Sequence, residues 1–204
     1  MIALFPAFLK LQGRRVVVVG GGPVAASKLA SLEAAGADVT VVAPDVCEAI
    51  RSTGIAVVQR PFEPADLDGA WLVVAAAPPA VNRHVAEEAE RRHLFVNAVD
   101  DPANASMYLG GVVRRDGVTL AISTDGAAPA LAGLLREALD SMLPGDLAVW
   151  SARAHEIRQS WRARGVPMDA RRPELLEALN ALYEARRSSA ENVRTPESEA
   201  ELVK

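Results

Sequence analysis

Cysteine occurs once in this chain, at Cys47, so neither an internal disulfide framework nor an all-cysteine metal site can form within one copy. Histidine is nearly as scarce. His84, His93 and His155 are scattered, no His-x-x-x-His pair is present to hold zinc, and no serine has the G-x-S-x-G setting of a hydrolase nucleophile. Positive charge is not in excess: 22 Lys and Arg against 26 Asp and Glu give a formal net charge of −4, which argues against a nucleic-acid partner. No apolar run approaches the ~20 residues of a membrane-spanning helix. The opening MIALFPAFLKLQGRR does not read as a signal peptide, because its charges follow its apolar part. The expectation is a cytoplasmic protein with no membrane association. What is present is ordinary for a globular chain of 204 residues: half the residues are apolar and 24% charged, enough for one or two domains with a real core.

The organising stretch is Arg15 to Gly36, RVVVVGGGPVAASKLASLEAAG. Val16 to Val19 form a β-branched run suited to a strand buried on both faces. Gly20-Gly21-Gly22-Pro23-Val24-Ala25 then fits G-x-G-x-x-(G/A), and a helical pattern follows to Gly36. Strand, glycine turn and helix in that order suit a dinucleotide pyrophosphate. Glycine lets the backbone come close, and the first helical turn aims unpaired N–H groups and the positive dipole end at the phosphates. Pro23 suits that first turn. Glycine turns also join strands to helices for purely structural reasons, so the motif gains its weight from its setting.

Further strands are expected over Asp38–Ala43, Ile55–Gln59, Trp71–Ala76 and Leu94–Val99, with helices over Asp45–Arg51 and Ala80–Arg92 between them. The alternation predicts a parallel doubly wound sheet. Leu4, Phe5, Phe8, Leu9 and Leu11 ahead of it read as a lead-in packed on the sheet edge. After Asp100 the pattern changes. Gly111–Arg115 and Val118–Ser123 flank Asp116-Gly117, the signature of a hairpin with a type I′ turn. Its strands alternate weakly, as if both faces were covered, one of them by a second subunit. Helices follow over Pro129–Met142, Asp146–Arg164 and Pro173–Arg187, and the polar stretch from Ser188 to Lys204 has no apolar periodicity and reads as disordered. The expected organisation is a Rossmann domain over 1–112, a hairpin-containing dimerisation region over 113–145, a helical C-terminal domain over 146–187 and a tail over 188–204.

Ligands of such a sheet lie outside the carboxyl ends of its strands. Four stretches face that crevice: the glycine turn, Ala43-Pro44-Asp45, Ala75-Ala76-Ala77-Pro78 and Asn97 to Asp101. Asp45 either bonds the ribose hydroxyls of a dinucleotide or caps the helix that follows it. No arginine occupies that strand end, which favours NAD over NADP. Asp100 and Asp101 are either turn formers before Pro102 or carry a carboxylate that serves as general base or acid at the strand end. Ser106, Ser123, Thr124 and Asp125 form the next polar cluster.

Three segments in order carry a resemblance: FPAFLKLQGRRVVVVGGGPVAASKLASLEAAGADVTVVAP, FVNAVDDPANAS and VTLAISTDGAAPALAGLLREALDSMLP. From about Phe5 to Leu143 the chain resembles the dehydrogenase module of the sirohaem synthases, precorrin-2 dehydrogenases of which some are also sirohydrochlorin ferrochelatases. The resemblance implies a Rossmann domain, a dimerisation region and a helical C-terminal part, assembled as a homodimer. It implies Asp100 as the catalytic residue, with Gly20, Gly22, Pro23, Val24, Pro44, Asp45 and Ala76 at the NAD. Precorrin-2 would give a hydride to NAD⁺ and a proton to a base, yielding sirohydrochlorin, with Fe²⁺ as a second substrate in bifunctional members. Asn97, Ser106, Thr124, Arg114 and Arg136 are the candidate substrate contacts. The arginines, with Arg115, are proposed because an octacarboxylate needs local positive charge, although a lone surface arginine is by default merely solvated.

Three departures from the family pattern stand out. Met107-Tyr108-Leu109-Gly110 replaces a Phe-Ile-x-Pro run, and Ser123-Thr124-Asp125-Gly126 replaces a Ser-Thr-Gly-Gly type turn. Ala77-Pro78-Pro79 replaces Thr-Asp-Asp. Asp125 is expected to set a negative charge near the anionic substrate, and the two prolines to weaken the cofactor site. A chelatase or tetrapyrrole carrier without redox activity is therefore the alternative, followed by a non-enzymatic NAD-sensing module.

Overall fold

The computed structural model describes residues 4–193. Its strands are β1 (Arg15–Val19), β2 (Asp38–Val42), β3 (Ala56–Val58), β4 (Leu72–Ala75), β5 (Phe95–Ala98), β6 (Gly111–Arg115) and β7 (Val118–Ile122). Its helices are α1 (Pro23–Ala34), α2 (Glu48–Arg51), α3 (Pro79–Arg91), α4 (Pro129–Met142), α5 (Leu147–Arg164) and α6 (Met168–Val193). Single 3-10 turns cover Pro64–Leu67 and Pro102–Asn104, two features without a periodic signal. The chain divides into one compact unit of residues 1–111 with 123–133, and a second of residues 112–122 with 134 onward.

In the first unit, β1 to β5 form an all-parallel sheet in the order β3-β2-β1-β4-β5. Val16 and Val18 pack with α1 and α2 on one face, and Val17 and Val19 with α3 on the other, so β1 is buried on both sides. That two-sided burial is why its sequence is an unbroken valine run. The chain leaves β1 toward β2 and returns to β4 on the other flank, which makes the gap between the ends of β1 and β4 the topological switch point. Of the expected apolar lead-in only Leu11 is buried, while Phe5 is 92% and Phe8 72% exposed. Among the described residues no helix is long and apolar enough to cross a membrane.

In the second unit, Asp116 and Gly117 have φ of 49° and 82°, the paired positive values a type I′ turn requires, and β6 and β7 form the expected two-stranded ribbon. Helix α5 ends at Gly165 in the left-handed conformation. Helix α6 departs from expectation at both ends. It begins before Pro173 and holds the proline inside, and it continues through 188–193, which were expected to be disordered; 194–204 lie outside the described residues. The early turns are tied to α5: Glu174 accepts hydrogen bonds from Trp161 Nε1 and Arg164, and the Arg171 guanidinium lies 5.9 Å from the Trp161 ring. These contacts offset the backbone hydrogen bond that Pro173 cannot donate.

An ion pair between the half-buried Arg60 and a buried carboxylate supports the loop before β4. Asp66, 7% exposed, accepts from both Arg60 guanidinium nitrogens at 2.9 and 2.6 Å and from the Glu63 N–H at 2.8 Å. The Arg60 hydrogen bonds hold this carboxyl below its ordinary 3.8, against the burial that would raise it. A carboxyl with a depressed folded pKa stabilises fully above its unfolded value and loses that contribution as pH falls through the folded one. Asp66→Asn should therefore flatten the loss of stability seen in urea titrations from about pH 5 down to about pH 2. An acid limb as steep as in the wild type would refute the assignment.

Candidate active site

The turn after β1 is shaped by two backbone crossings. Gly20 has φ of +123°, donates its N–H to Val42 C=O at 2.9 Å, and would put a Cβ 2.2 Å from the Ala76 carbonyl oxygen. Gly21 would put one 1.9 Å from the Asp45 carbonyl oxygen, and its own carbonyl accepts the Cys47 N–H at 2.8 Å. Both glycines are thus demanded by the protein itself. Gly22 is different: its φ of −85° suits any residue, and a Cβ there would meet no atom within 4 Å. No contact within the described residues requires a glycine at that point, and the space in front of it is open.

Helix α1 starts at this open position. Gly22 is its N-cap, no side chain caps the first turn, and that turn holds no acidic residue. Pro23 takes the first helical position and has no N–H to leave unpaired, Val24 is 46% exposed, and Ala25 is fully buried against the core. Small residues at a strand-to-helix turn, open backbone N–H groups and the positive end of the α1 dipole form a cradle for a diphosphate. The residues present fit a dinucleotide.

Pro44 and Asp45 follow the end of β2 and are exposed. Helix α2 begins at Glu48 with Cys47 as its N-cap, so the capping alternative for Asp45 does not hold. The Asp45 carboxylate instead accepts from the Val46 N–H at 2.9 Å and from Arg51 at 2.7 Å, both on Oδ1. An arginine therefore does reach this strand end, from α2, where the sequence placed none. It is committed to Asp45 in an exposed pair.

After β4, Ala76 donates its N–H to Val19 C=O, and the Ala77 N–H goes to the buried side chain of Asn82 at 2.9 Å. Asn82 was missed in the sequence because a polar residue inside an amphipathic helix gives no periodic signal.

Within β5, Asn97 is 7% exposed and donates from Nδ2 to Met107 C=O at 3.1 Å. Ser106 Oγ accepts the Val96 N–H at 2.9 Å, and the Ser106 N–H donates to Val96 C=O at 2.9 Å. Both residues, expected as substrate contacts, tie the 106–107 segment to β5. Asn97 also lines a cavity of about 160 Å³, and Ser106 does not. Asp100 and Asp101 line that cavity together with Lys28, Tyr108, Thr124 and Gly126. Asp100 has φ of +56°, left-handed and uncommon for a non-glycine residue, and takes no hydrogen bond from another described residue. Asp101 accepts from Asn104 Nδ2 at 2.7 Å and is the turn former of the two.

Thr124 Oγ1 accepts the Ala128 N–H at 3.2 Å and so organises the approach to α4 as well as lining the cavity. Asp125, φ +54°, is exposed and lies between the lining residues Thr124 and Gly126 without itself lining the cavity. Arg114 and Arg136 belong to the second unit, whereas the lining residues all belong to the first. Arg136 pairs with Glu137 at 3.1 Å, and Arg115 is bound to Asp140 and to Leu143 C=O. Sequence reasoning missed Lys28 and Tyr108 as lining residues, because a lysine within a helical pattern gives no sign of which way it faces.

A protein-family profile described as "Putative NAD(P)-binding" matches residues 7–111. The chain belongs to that family. Over 183 residues it is 38% identical to the siroheme synthase of Photorhabdus laumondii, a match covering 87% of this chain and 39% of that protein. It is 40% identical over 164 residues to the siroheme synthase of Methylobacillus flagellatus, covering 78% of this chain and 35% of that one. The chain thus spans under two fifths of the length of these curated relatives. A solved structure named "SirC, precorrin-2 dehydrogenase" superposes with a TM-score of 0.67 at 28% identity, covering 85% of this chain and 88% of that one. The resemblance drawn from the three sequence segments holds.

Substituting the two kinds of glycine should separate folding from binding. Gly20→Ala should lower stability by about 3 kcal/mol in urea unfolding. Gly22→Val should change stability by under about 1 kcal/mol yet weaken NADH binding, read by fluorescence titration, about tenfold or more. Unchanged NADH affinity in Gly22→Val would remove the cradle from consideration.

Proposed function

We propose that this protein is an NAD-dependent dehydrogenase of precorrin-2, with Asp100 as its proton acceptor. The observation that carries the reading is the Asp100 carboxylate, unpaired among the described residues, in a cavity at the carboxyl end of β5, on the same sheet edge as the α1 cradle. The names of the siroheme synthases and of the precorrin-2 dehydrogenase that resemble this chain supply the substrate.

When bound, the oxidised nicotinamide supplies the hydride acceptor. The protein's own part is to hold that cofactor and to move a proton. Gly22 would let the backbone approach the diphosphate, with Pro23 and Val24 in the first turn of α1, while Gly20 seats the turn against β4. Asp45, past the end of β2, would bond the ribose hydroxyls through Oδ2, its Oδ1 being occupied, and Pro44 and Ala76 would flank the cofactor. A carboxylate at this point favours the free ribose diol, hence NAD, over a 2′-phosphate, which it would repel. Precorrin-2 loses two electrons and one proton as the hydride and a second proton to Asp100, which balances the conversion to sirohydrochlorin. A general base of this kind contributes about 10²–10⁴-fold to rate.

Insertion of Fe²⁺ into sirohydrochlorin releases two pyrrole protons, and the same carboxylate is suited to accept one of them; Fe²⁺ is then a second substrate. The active form is a homodimer through the hairpin and α4, a reading supported by the exposure of Leu134 and Met142, at 65% and 76%. A monomer by light scattering at micromolar concentration would count against it.

With precorrin-2 and NAD⁺ supplied anaerobically, NADH formation and macrocycle absorbance report the first step, and later Fe²⁺ addition the second. Asp100→Asn should retain NADH affinity within about twofold and lose turnover by about 10²-fold or more. Asparagine tolerates the left-handed backbone at this position, so the loss would not reflect misfolding. Wild-type dehydrogenation by Asp100→Asn would remove Asp100 from that step. Sirohydrochlorin binding without NAD binding in the wild type would favour a chelatase or carrier instead.

A further inference from the structure

The cavity at Asp100 has an electrostatic problem. Two carboxylates line it, and the substrate proposed above is an octacarboxylate, so like charges would meet there. The arginines of the hairpin and α4 belong to the second unit, and Arg115 and Arg136 are already paired with acidic residues. The side chains that line the cavity include a single cation, Lys28. It is half-buried, and no acidic residue pairs with it among the described residues.

From these observations we infer that Lys28 binds a peripheral carboxylate of the tetrapyrrole and so sets which edge of the macrocycle meets Asp100. The inference rests on the precorrin-2 reading and deepens it. Lys28 lies on α1, five residues after Pro23 and about 8 Å farther along the helix axis at 1.5 Å per residue. The helix whose first turn forms the cofactor cradle therefore also carries the substrate anchor. Because α1 is one rigid element packed through Ala25, Leu29 and Leu32, cofactor and substrate are placed relative to each other by a helix rather than by loops. A volume of about 160 Å³ admits only part of a macrocycle, which is consistent with the cavity taking one edge and its carboxylate while the rest lies outside. Lysine suits a single carboxylate of a flexible acetate or propionate arm, since its ammonium is a point charge with rotatable donors.

Equilibrium binding of sirohydrochlorin, followed anaerobically by its absorbance, tests this with Lys28→Met and Lys28→Arg, alongside NADH titration as a fold and cofactor control. Lys28→Met should weaken sirohydrochlorin binding about tenfold and raise KM for precorrin-2 more than it lowers kcat. NADH affinity should stay within about twofold, and Lys28→Arg should recover most of the binding. Added salt should weaken the wild type more than Lys28→Met. Equal sirohydrochlorin affinity in wild type and Lys28→Met would overturn the role of Lys28 and leave the enzyme reading standing. Failure of the wild type to bind sirohydrochlorin or to oxidise precorrin-2 would overturn that reading, and this inference with it.

Discussion

The approach of the Gly20 backbone to the Ala76 carbonyl is the constraint on which the site depends. A Cβ at Gly20 would lie 2.2 Å from that oxygen, so the chain leaving β1 can cross the end of β4 only where there is no side chain. The crossing occurs at the switch point of the sheet, between the two strands whose connections diverge. It keeps the turn flat against the sheet, and the next residues enter α1 with their N–H groups uncapped. Gly21 repeats the device against the 45–46 loop, which brings Asp45 to the turn. Once both crossings are made, Gly22 is left facing outward with space in front of it.

Placing a cradle and a lysine on one helix gives the site a rigid reference, and the neighbouring aspartates divide their work in keeping with it. Asp101 has its carboxylate and its carbonyl engaged with Asn104, so it holds the chain in the 3-10 turn. Asp100, just before that turn, is in the left-handed conformation and lines the cavity. One aspartate is the bracket and the other is the free group. Spacing alone left both as candidates at a strand end, the resemblance singled out Asp100, and the structure separates them by backbone angle and hydrogen bonding.

Much of the fold was legible because two-sided burial leaves a compositional trace. Val16 to Val19 and Leu72 to Ala75 can be little else than central parallel strands, and Asp116-Gly117 announces its turn by requiring two positive φ values. The site was less legible for a reason that Ser106 and Asn97 illustrate. A hydroxyl or amide near a strand end is the right chemistry for a substrate, and equally for closing the backbone of an edge strand, and local spacing does not distinguish them. Helix α6 failed differently. Pro173 reads as a start, and only the contacts of Trp161, Arg164 and Arg171 across to α5 make a helix on both sides of it. Lys28 escaped because a lysine in a helical pattern is by default a solvated one.

The proline pair after β4 tests how far a site can change while keeping its chemistry. Polar side chains at Ala77, Pro78 and Pro79 would have offered partners to the cofactor, and their loss reads in the sequence as damage. In the structure the turn is self-sufficient: Asn82 takes up the Ala77 N–H from inside α3, and Pro78 and Pro79 preset the start of that helix. The turn no longer needs a ligand to satisfy its backbone, and it gives up no part of the diphosphate cradle, which belongs to α1. The prolines shape one wall of the crevice, while Gly22 and the uncapped start of α1 stay open beside it.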